Sequence, residues 1–314
     1  DSSEAIQLRE AGITGDVIIL GAVIEEEISR VIQYDIIATV HSKDFLKLLN
    51  DEAERQKKNV RVHIKVDTGM SRLGASPRNA LEIARKMKNY PRLRLDGIAT
   101  HFSTVVAGSR EYTDKQLKSF SALIGELRQE GICPEFIHAA NTTTLVTHPQ
   151  SHFTMVRVGI ALYGIDPGIF AGLGLPLTPI LALKTRIAYL KNVPAGTCVG
   201  YDQKYRTEKP TRIATLPVGY NDGYPYLLSN KGEVLIRGRR APVRGTVTMD
   251  YIMVDVGDIE HVATGDVVTL IGKDGTDEIT VAELARKIGT SPYEITCGMG
   301  RRVRRVYKTV TSNQ

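Results

Sequence analysis

Four short stretches gather polar residues at the ends of β-branched runs: Lys65-Val66-Asp67-Thr68-Gly69-Met70-Ser71-Arg72, Thr100-His101-Phe102, His138-Ala139-Ala140-Asn141-Thr142 and Arg157-Val158-Gly159-Ile160. They contain no cysteine and no HxH or HExxH spacing. His101, His138 and Asp67 could form a hydrolytic metal site, but single histidines on three separate strands are a weak ligand signal, and a satisfied structural histidine is the better expectation. A phosphate site fits the spacing more closely. Asn141-Thr142 and Gly159-Ile160 would follow the last two strands of an α/β barrel, where backbone N–H groups and a hydroxyl hold ligand phosphates. An ordinary helix cap at Thr142 and a packing glycine at Gly159 read equally well from spacing alone.

Elements that would position these residues are legible. Strand candidates are Asp16–Gly21, Ile36–Val40, Arg61–Thr68, Leu95–Ser103, Phe136–Asn141 and Thr154–Gly164. Between them, Ser76-Pro77 opens a helix with Leu81, Ala84 and Met87 at helical spacing, and Tyr112–Gly131 places Leu117, Phe120, Ile124 and Leu127 on one stripe. Near-continuous apolar strands alternating with amphipathic helices predict a parallel sheet buried on both faces. A doubly wound sheet and a TIM-like (β/α)8 barrel both fit; on the barrel reading, six strands before Gly164 leave two missing at the front. The opening helix, Ser2–Gly12, has no strand before it and points the same way.

Beyond Pro176 the texture changes to Ile180–Val193, Thr211–Tyr220, Gly232–Arg237, Val243–Val256 and Asp266–Ile271, with one helix opening at Thr280. The expected organisation is therefore an N-terminally incomplete barrel over 1–173 and a C-terminal mainly-β domain over 174–314, divided in the Gly- and Pro-rich Gly172–Pro179.

With 314 residues, 42% hydrophobic and 24% charged, the chain is an ordinary globular sequence; disordered, collagenous and coiled-coil classes are excluded. Cys133, Cys198 and Cys297 are too few and too scattered for a disulfide scaffold, so the cytoplasm is the expected compartment. No apolar run approaches the roughly 18 residues of a membrane helix. The net charge of +6 is mild, and the Arg301-Arg302-Val303-Arg304-Arg305 cluster reads better as a solvated face than as a nucleic-acid or phosphate contact.

Seven motifs, KVDTGMSRLG, THF, HAANTTT, MVRVGIALYG, VGY before QKY, LPVGYNDGY and TMDYIMVDVG, occur in an order and spacing that resembles the bacterial alanine racemases, including the racemase domain of the serine/alanine racemases of vancomycin resistance. The resemblance spans nearly the whole chain. It implies a fold-type III pyridoxal 5'-phosphate (PLP) enzyme, a barrel followed by a β-domain, forming a homodimer whose active sites are shared between subunits. The implied reaction is two-base interconversion of L- and D-alanine for peptidoglycan, with serine as the alternative substrate. Arg157 matches the donor to the pyridine nitrogen, and because a guanidinium keeps its proton, that nitrogen stays unprotonated and the cofactor is a weaker electron sink. Thr142, Gly159 and Ile160 match phosphate-binding positions. Arg72 matches the arginine near the phenolic oxygen and the substrate; Lys65 matches the often carbamylated lysine that braces it. His101 and Asn141 match positions around the ring. Tyr201 matches one catalytic base, accompanied by Tyr220 and Met249 on the substrate side.

Departures from the pattern are equally specific. The lysine that carries PLP, in a motif resembling KANAYGHG, has no counterpart in these residues, nor has the phosphate-contacting tyrosine that follows it. Lys65 could substitute, but its context matches the supporting lysine. A chain without the PLP lysine could instead be a non-catalytic scaffold. Arg301 stands where many members have a tyrosine, and Ser71 where glycine is usual.

Overall fold

A computed structural model describes residues 1–103 and 110–308. The chain divides into two compact units, Asp1–Gly159 and Ile160–Gln314. This division precedes the expected one at Gly172–Pro179, because Ile160 and Ile165 are buried in the core of the second unit rather than the first.

The first unit contains strands β1 (Ala38–Val40), β2 (Val60–Lys65), β3 (Leu93–Ala99) and β4 (Phe136–His138), ordered β1-β2-β3-β4 and all parallel. Parallel bridges Ile18↔Ile37 and His138↔Met155 continue the arc at both sides. All six expected strand positions are thus consecutive staves of a (β/α) barrel arc, although the described residues do not close it into a ring. Thr154–Gly164 is shorter than expected: only Met155 bridges, and Ile160–Tyr163 turns into a 3-10 helix.

Burial on both faces explains the apolar strands; Val62, Ile64 and Ile98 are fully enclosed. The covering helices are α1 (Ser2–Glu10), α2 (Glu25–Gln33), α3 (Lys43–Gln56), α4 (Pro77–Lys86), α5 (Arg110–Gln129) and the short α6 (Thr142–Thr147). Their ends follow local chemistry. Asp1 and Glu4 form a capping box on α1, and Ser76 accepts the Asn79 N–H ahead of Pro77 at the start of α4. The α5 stripe buries Leu117, Phe120, Ile124 and Leu127, and truncating Phe120 would cost about 3–5 kcal/mol.

The second unit is antiparallel throughout. β6 (Tyr189–Val193), β7 (Thr211–Leu216) and β10 (Ile252–Asp255) form a sheet in the order β10-β7-β6. A second sheet joins β5 (Leu183–Arg186), β8 (Glu233–Ile236), β9 (Arg239–Pro242), β11 (Val267–Asp274) and β12 (Asp277–Ile279) around β11. Ile180–Val193 contains two strands, and Val243–Val256 contains only β10 and a bridge at Val243, because Gly245 turns the chain at φ +78°. Thr280 caps α7 (Val281–Ile288) as expected, and α8 (Pro292–Cys297) follows.

Candidate functional site

The polar strand ends of the first unit converge on Arg157. Its Nη1 donates to His138 Nδ1 at 2.8 Å; its Nη2 donates to the carbonyls of Thr100 at 2.8 Å and Ala139 at 3.0 Å and faces His101 Nδ1 at 3.2 Å. The guanidinium is thereby tied to the C-terminal ends of β3 and β4. Its Nε–H and the second Nη1–H have no partner among the described residues, so donors remain for an acceptor outside the protein. Burial lowers the Arg157 pKa to about 10, leaving it charged near neutrality.

Around it, cationic character is suppressed. His138 is pulled down to about 2 by burial, Arg157, His63 and Lys65, and His101 to about 4 by burial, Arg157, Lys65 and Arg72. Both imidazoles are neutral near pH 7. Lys65, at the end of β2 and buried, falls to about 7 through burial and the positive charges of Arg157 and Arg72, with Asp67 only partly compensating. Arg72 itself is exposed.

The loop after β2 is built by Asp67, whose Oδ1 accepts the N–H groups of Gly69, Met70 and Ser71 at 2.8, 2.9 and 3.1 Å. Ser71 adopts φ +57°, a left-handed conformation that accounts for the usual glycine there. Gly74, at φ +131°, lies so close to the strand that a Cβ would meet the Asp67 nitrogen at 2.6 Å.

Thr142 and Gly159 are brought together: the Thr142 hydroxyl accepts the Gly159 N–H at 2.9 Å and keeps its own proton for another acceptor. Asn141 is committed elsewhere, its Oδ1 accepting the Thr144 N–H at 3.0 Å as the cap of α6. Ile160 opens the second unit, where its N–H points to the Tyr293 hydroxyl at 3.4 Å.

Spacing gave no warning of two contributors, Gln116 and His63. Gln116 of α5 reaches the His101 carbonyl at 3.3 Å and accepts the Ser103 N–H at 3.0 Å, while Thr100 donates to the Val66 carbonyl at 3.1 Å. His63 hydrogen-bonds to His138 at 2.8 Å. The available signal was a histidine inside an otherwise buried strand. Both ring nitrogens of His138 are engaged by protein, which leaves none for a metal; among the described residues no three His, Cys, Asp or Glu gather as ligands.

The second unit carries Tyr201, Tyr220 and Met249 on three loops fastened together. Tyr220 N–H donates to the Thr248 carbonyl at 3.0 Å, Asn221 N–H to the Met249 carbonyl at 3.2 Å, and the Thr246 hydroxyl to the Tyr201 carbonyl at 3.3 Å. Gly219 permits this approach; a Cβ there would stand 2.2 Å from the Thr248 oxygen. All three side chains are exposed, Tyr201 by 69%. The arginine cluster is only partly a solvated face. Arg301 is exposed, but Arg302 pairs with Asp222 and Asp250, and Arg305 donates to the carbonyls of Met299, Gly300 and Val303.

A half-buried, charged donor with a free N–H, two neutral imidazoles, a hydroxyl and a near-neutral amine suit a planar, nitrogen-containing, phosphorylated ligand. Residues 1–167 match the family model for the alanine racemase N-terminal domain, and residues 180–307 that for the alanine racemase C-terminal domain. An alanine racemase of Methanococcus maripaludis is 41% identical over 98% of this chain and 82% of its own length; one of Halothermothrix orenii is 41% identical over 97% and 80%. Among solved structures, alanine racemase of Clostridium difficile 630 superposes with a TM-score of 0.93 at 34% identity, covering 98% of this chain and 80% of that one. That of E. faecalis gives 0.87 at 35%, covering 96% and 81%.

Proposed function

Since the chain belongs to the alanine racemase family, an isomerase family, we propose that it interconverts L- and D-alanine with PLP, using the residues assembled around Arg157 and those on the Tyr201 face. The observation that carries this reading is the anchored Arg157, whose Nε–H is left to donate to an acceptor such as a pyridine nitrogen. The Thr142 hydroxyl, oriented by the Gly159 N–H that it accepts, supplies a proton for the phosphate, with the Ile160 N–H next in sequence. His101 and Asn141 border the ring, and Arg72 serves its phenolic oxygen and the substrate carboxylate.

When bound, PLP supplies the electron sink for the charge left at Cα. Proton transfer falls to protein groups on opposite faces, because a single base would return the proton to the side it came from. Tyr201 is the base on one face: as the phenolate it takes the α-proton from one enantiomer while the opposing base protonates the other face, and as the phenol it returns a proton to its own face when the reaction runs backwards. Tyr220 and Met249 bound the substrate. The opposing base is the PLP-bearing lysine implied by the resemblance. Lys65, with its pKa near 7, instead supports Arg72 after reaction of its neutral amine with CO2, which replaces the amine with a carbamate anion and releases a proton.

Cofactor chemistry, the shared-site homodimer, serine as a second substrate and a cytoplasmic location complete the reading. Unpaired Cys133, Cys198 and Cys297 support a reducing compartment, and no helix among the described residues is long and apolar enough to cross a membrane. The test is racemisation of L-alanine by the full-length gene product with PLP added, together with the visible absorbance of lysine-bound cofactor. Absence of both would overturn the proposal. Borohydride reduction and mass spectrometry would identify the lysine, and a pyridoxyl group on Lys65 would reverse its assigned role.

A further inference from the structure

We infer that His138, His63 and Asp96 form a one-directional hydrogen-bond relay that holds Arg157 as a donor toward the cofactor ring, making His63 and Asp96 positioning residues. The cofactor part rests on the function proposed above; the relay itself does not.

Direction follows from the donor inventory. A guanidinium can only donate, so His138 Nδ1, 2.8 Å from Arg157 Nη1, must accept, and the His138 proton resides on Nε2. That nitrogen lies 2.8 Å from His63 Nδ1, which must therefore accept as well. The His63 proton is consequently on Nε2, facing Asp96 Oδ2 at 3.8 Å. A carboxylate only accepts, so the series ends there. Every link has one allowed orientation.

The surroundings enforce it. His138, His63 and Asp96 are 0%, 1% and 2% exposed, so water cannot exchange freely with the chain. His63 is packed between the Phe136 ring and Gly97, where a Cβ would stand 2.4 Å from the imidazole. His63 Nε2 and Asp96 Oδ2 are both buried without a hydrogen-bond partner, and each such group costs about 1–3 kcal/mol. Each faces the other across 3.8 Å, so a shift of the ring by under about 1 Å would bring them to hydrogen-bond distance and satisfy both. Asp96 pairs with Arg94 through its other oxygen, Oδ1, while Arg61 Nη1 lies 3.8 Å from the same Oδ2 that faces His63.

If His138 carried its proton on Nδ1, two donors would oppose each other across 2.8 Å and Arg157 would have to swing away. The relay prevents that tautomer from a distance, through a residue on β2 and another on β3 that need no contact with the ligand.

The decisive measurement is long-range 15N–1H correlation of the histidine rings and the Arg157 guanidinium in the full-length protein, without cofactor. Protonation on Nε2 is expected at both His63 and His138. His63→Leu should allow Nδ1 protonation at His138, move the Arg157 Nη signals and weaken PLP binding about tenfold, the loss expected for one misaligned hydrogen bond to a charged group. His63→Gln, which can still accept and donate in series, should restore the signals and the affinity. A His138 proton on Nδ1 in the unsubstituted protein would overturn the relay, as would His63→Leu leaving the Arg157 signals or the PLP affinity unchanged. Should His63→Leu not fold, the tautomers of the unsubstituted protein still decide. Correct tautomers with no PLP-dependent racemisation would refute the proposed function and leave the relay standing.

Discussion

Arg302 grips Asp222 with two hydrogen bonds, Nε to Oδ1 at 2.6 Å and Nη2 to Oδ2 at 3.0 Å, while the same carboxylate accepts the Gly219 N–H at 2.9 Å. Through Asp250 it also reaches the loop of Met249. The residues around Arg302 thus fasten the two turns that present Tyr220 and Met249. Asp222→Ala should destabilise the protein by about 2 kcal/mol, since it leaves the buried Gly219 N–H without its acceptor. It should also raise KM for alanine more than it lowers kcat, because it loosens substrate-side loops without removing a base. Chemical denaturation and steady-state racemisation measure the two effects.

Acid should unfold the protein earlier than its carboxylates require. His101 and His138 have folded pKa values of about 4 and about 2, against about 6.5 when unfolded. Below pH 6.5 the unfolded chain binds protons that the folded one refuses. Their stabilising influence is therefore complete above pH 6.5 and is lost as pH falls, by about 1.4 kcal/mol per pH unit for each histidine. Stabilities measured by denaturation between pH 6.5 and 5 should show this slope, to which His41, His63 and His148, whose pKa values burial also lowers, add; His101→Gln should reduce it by about 1.4 kcal/mol per pH unit. A flat profile would contradict neutral imidazoles around Arg157.

Lys65 works in the opposite range. Its pKa drops from an ordinary 10.5 to about 7, so the folded state disfavours the proton throughout that interval and stability declines as pH falls from 10.5 toward 7. In CO2-free buffer at pH 7.5, Lys65→Met should stabilise the fold by about 2 kcal/mol, an advantage that shrinks toward pH 10. The same substitution should lower racemisation. With 13C-bicarbonate, a carbamate carbon signal should appear in the parent protein and be missing from the variant.

Some of this architecture was readable because it depends on local chemistry. The capped start of α4 at Ser76-Pro77, the α5 stripe and the Thr280 cap each follow from a few adjacent residues. The strand positions of the barrel arc followed from two-sided burial. Thr154–Gly164 misled because apolar content cannot distinguish a strand from a 3-10 turn, of which only Ile160 is buried here; Gly172–Pro179 falls between the ranges of the two family models, yet its composition does not say which core claims Ile160 and Ile165. At the site, Arg157, His101, His138 and Thr142 stood at strand ends. Their partners His63, Asp96 and Gln116 did not, since parallel register and helix docking, which bring distant residues together, leave no mark in local spacing.

Arg157 and Tyr201 belong to different compact units, and the proposed dimer has them meet from different subunits. Neither Arg157→Ala nor Tyr201→Phe homodimers should racemise alanine at more than a small fraction of the parent rate, the first for want of cofactor alignment and the second for want of a base. Unfolded together and refolded as an equal mixture, half of the dimers would be mixed. In each mixed dimer one site receives both defects and the other receives none, so activity should recover to about a quarter of the parent value. Sites completed within one subunit would remain defective in every combination and recover nothing. Size-exclusion chromatography with light scattering on the same mixture separates that outcome from a failure to dimerise.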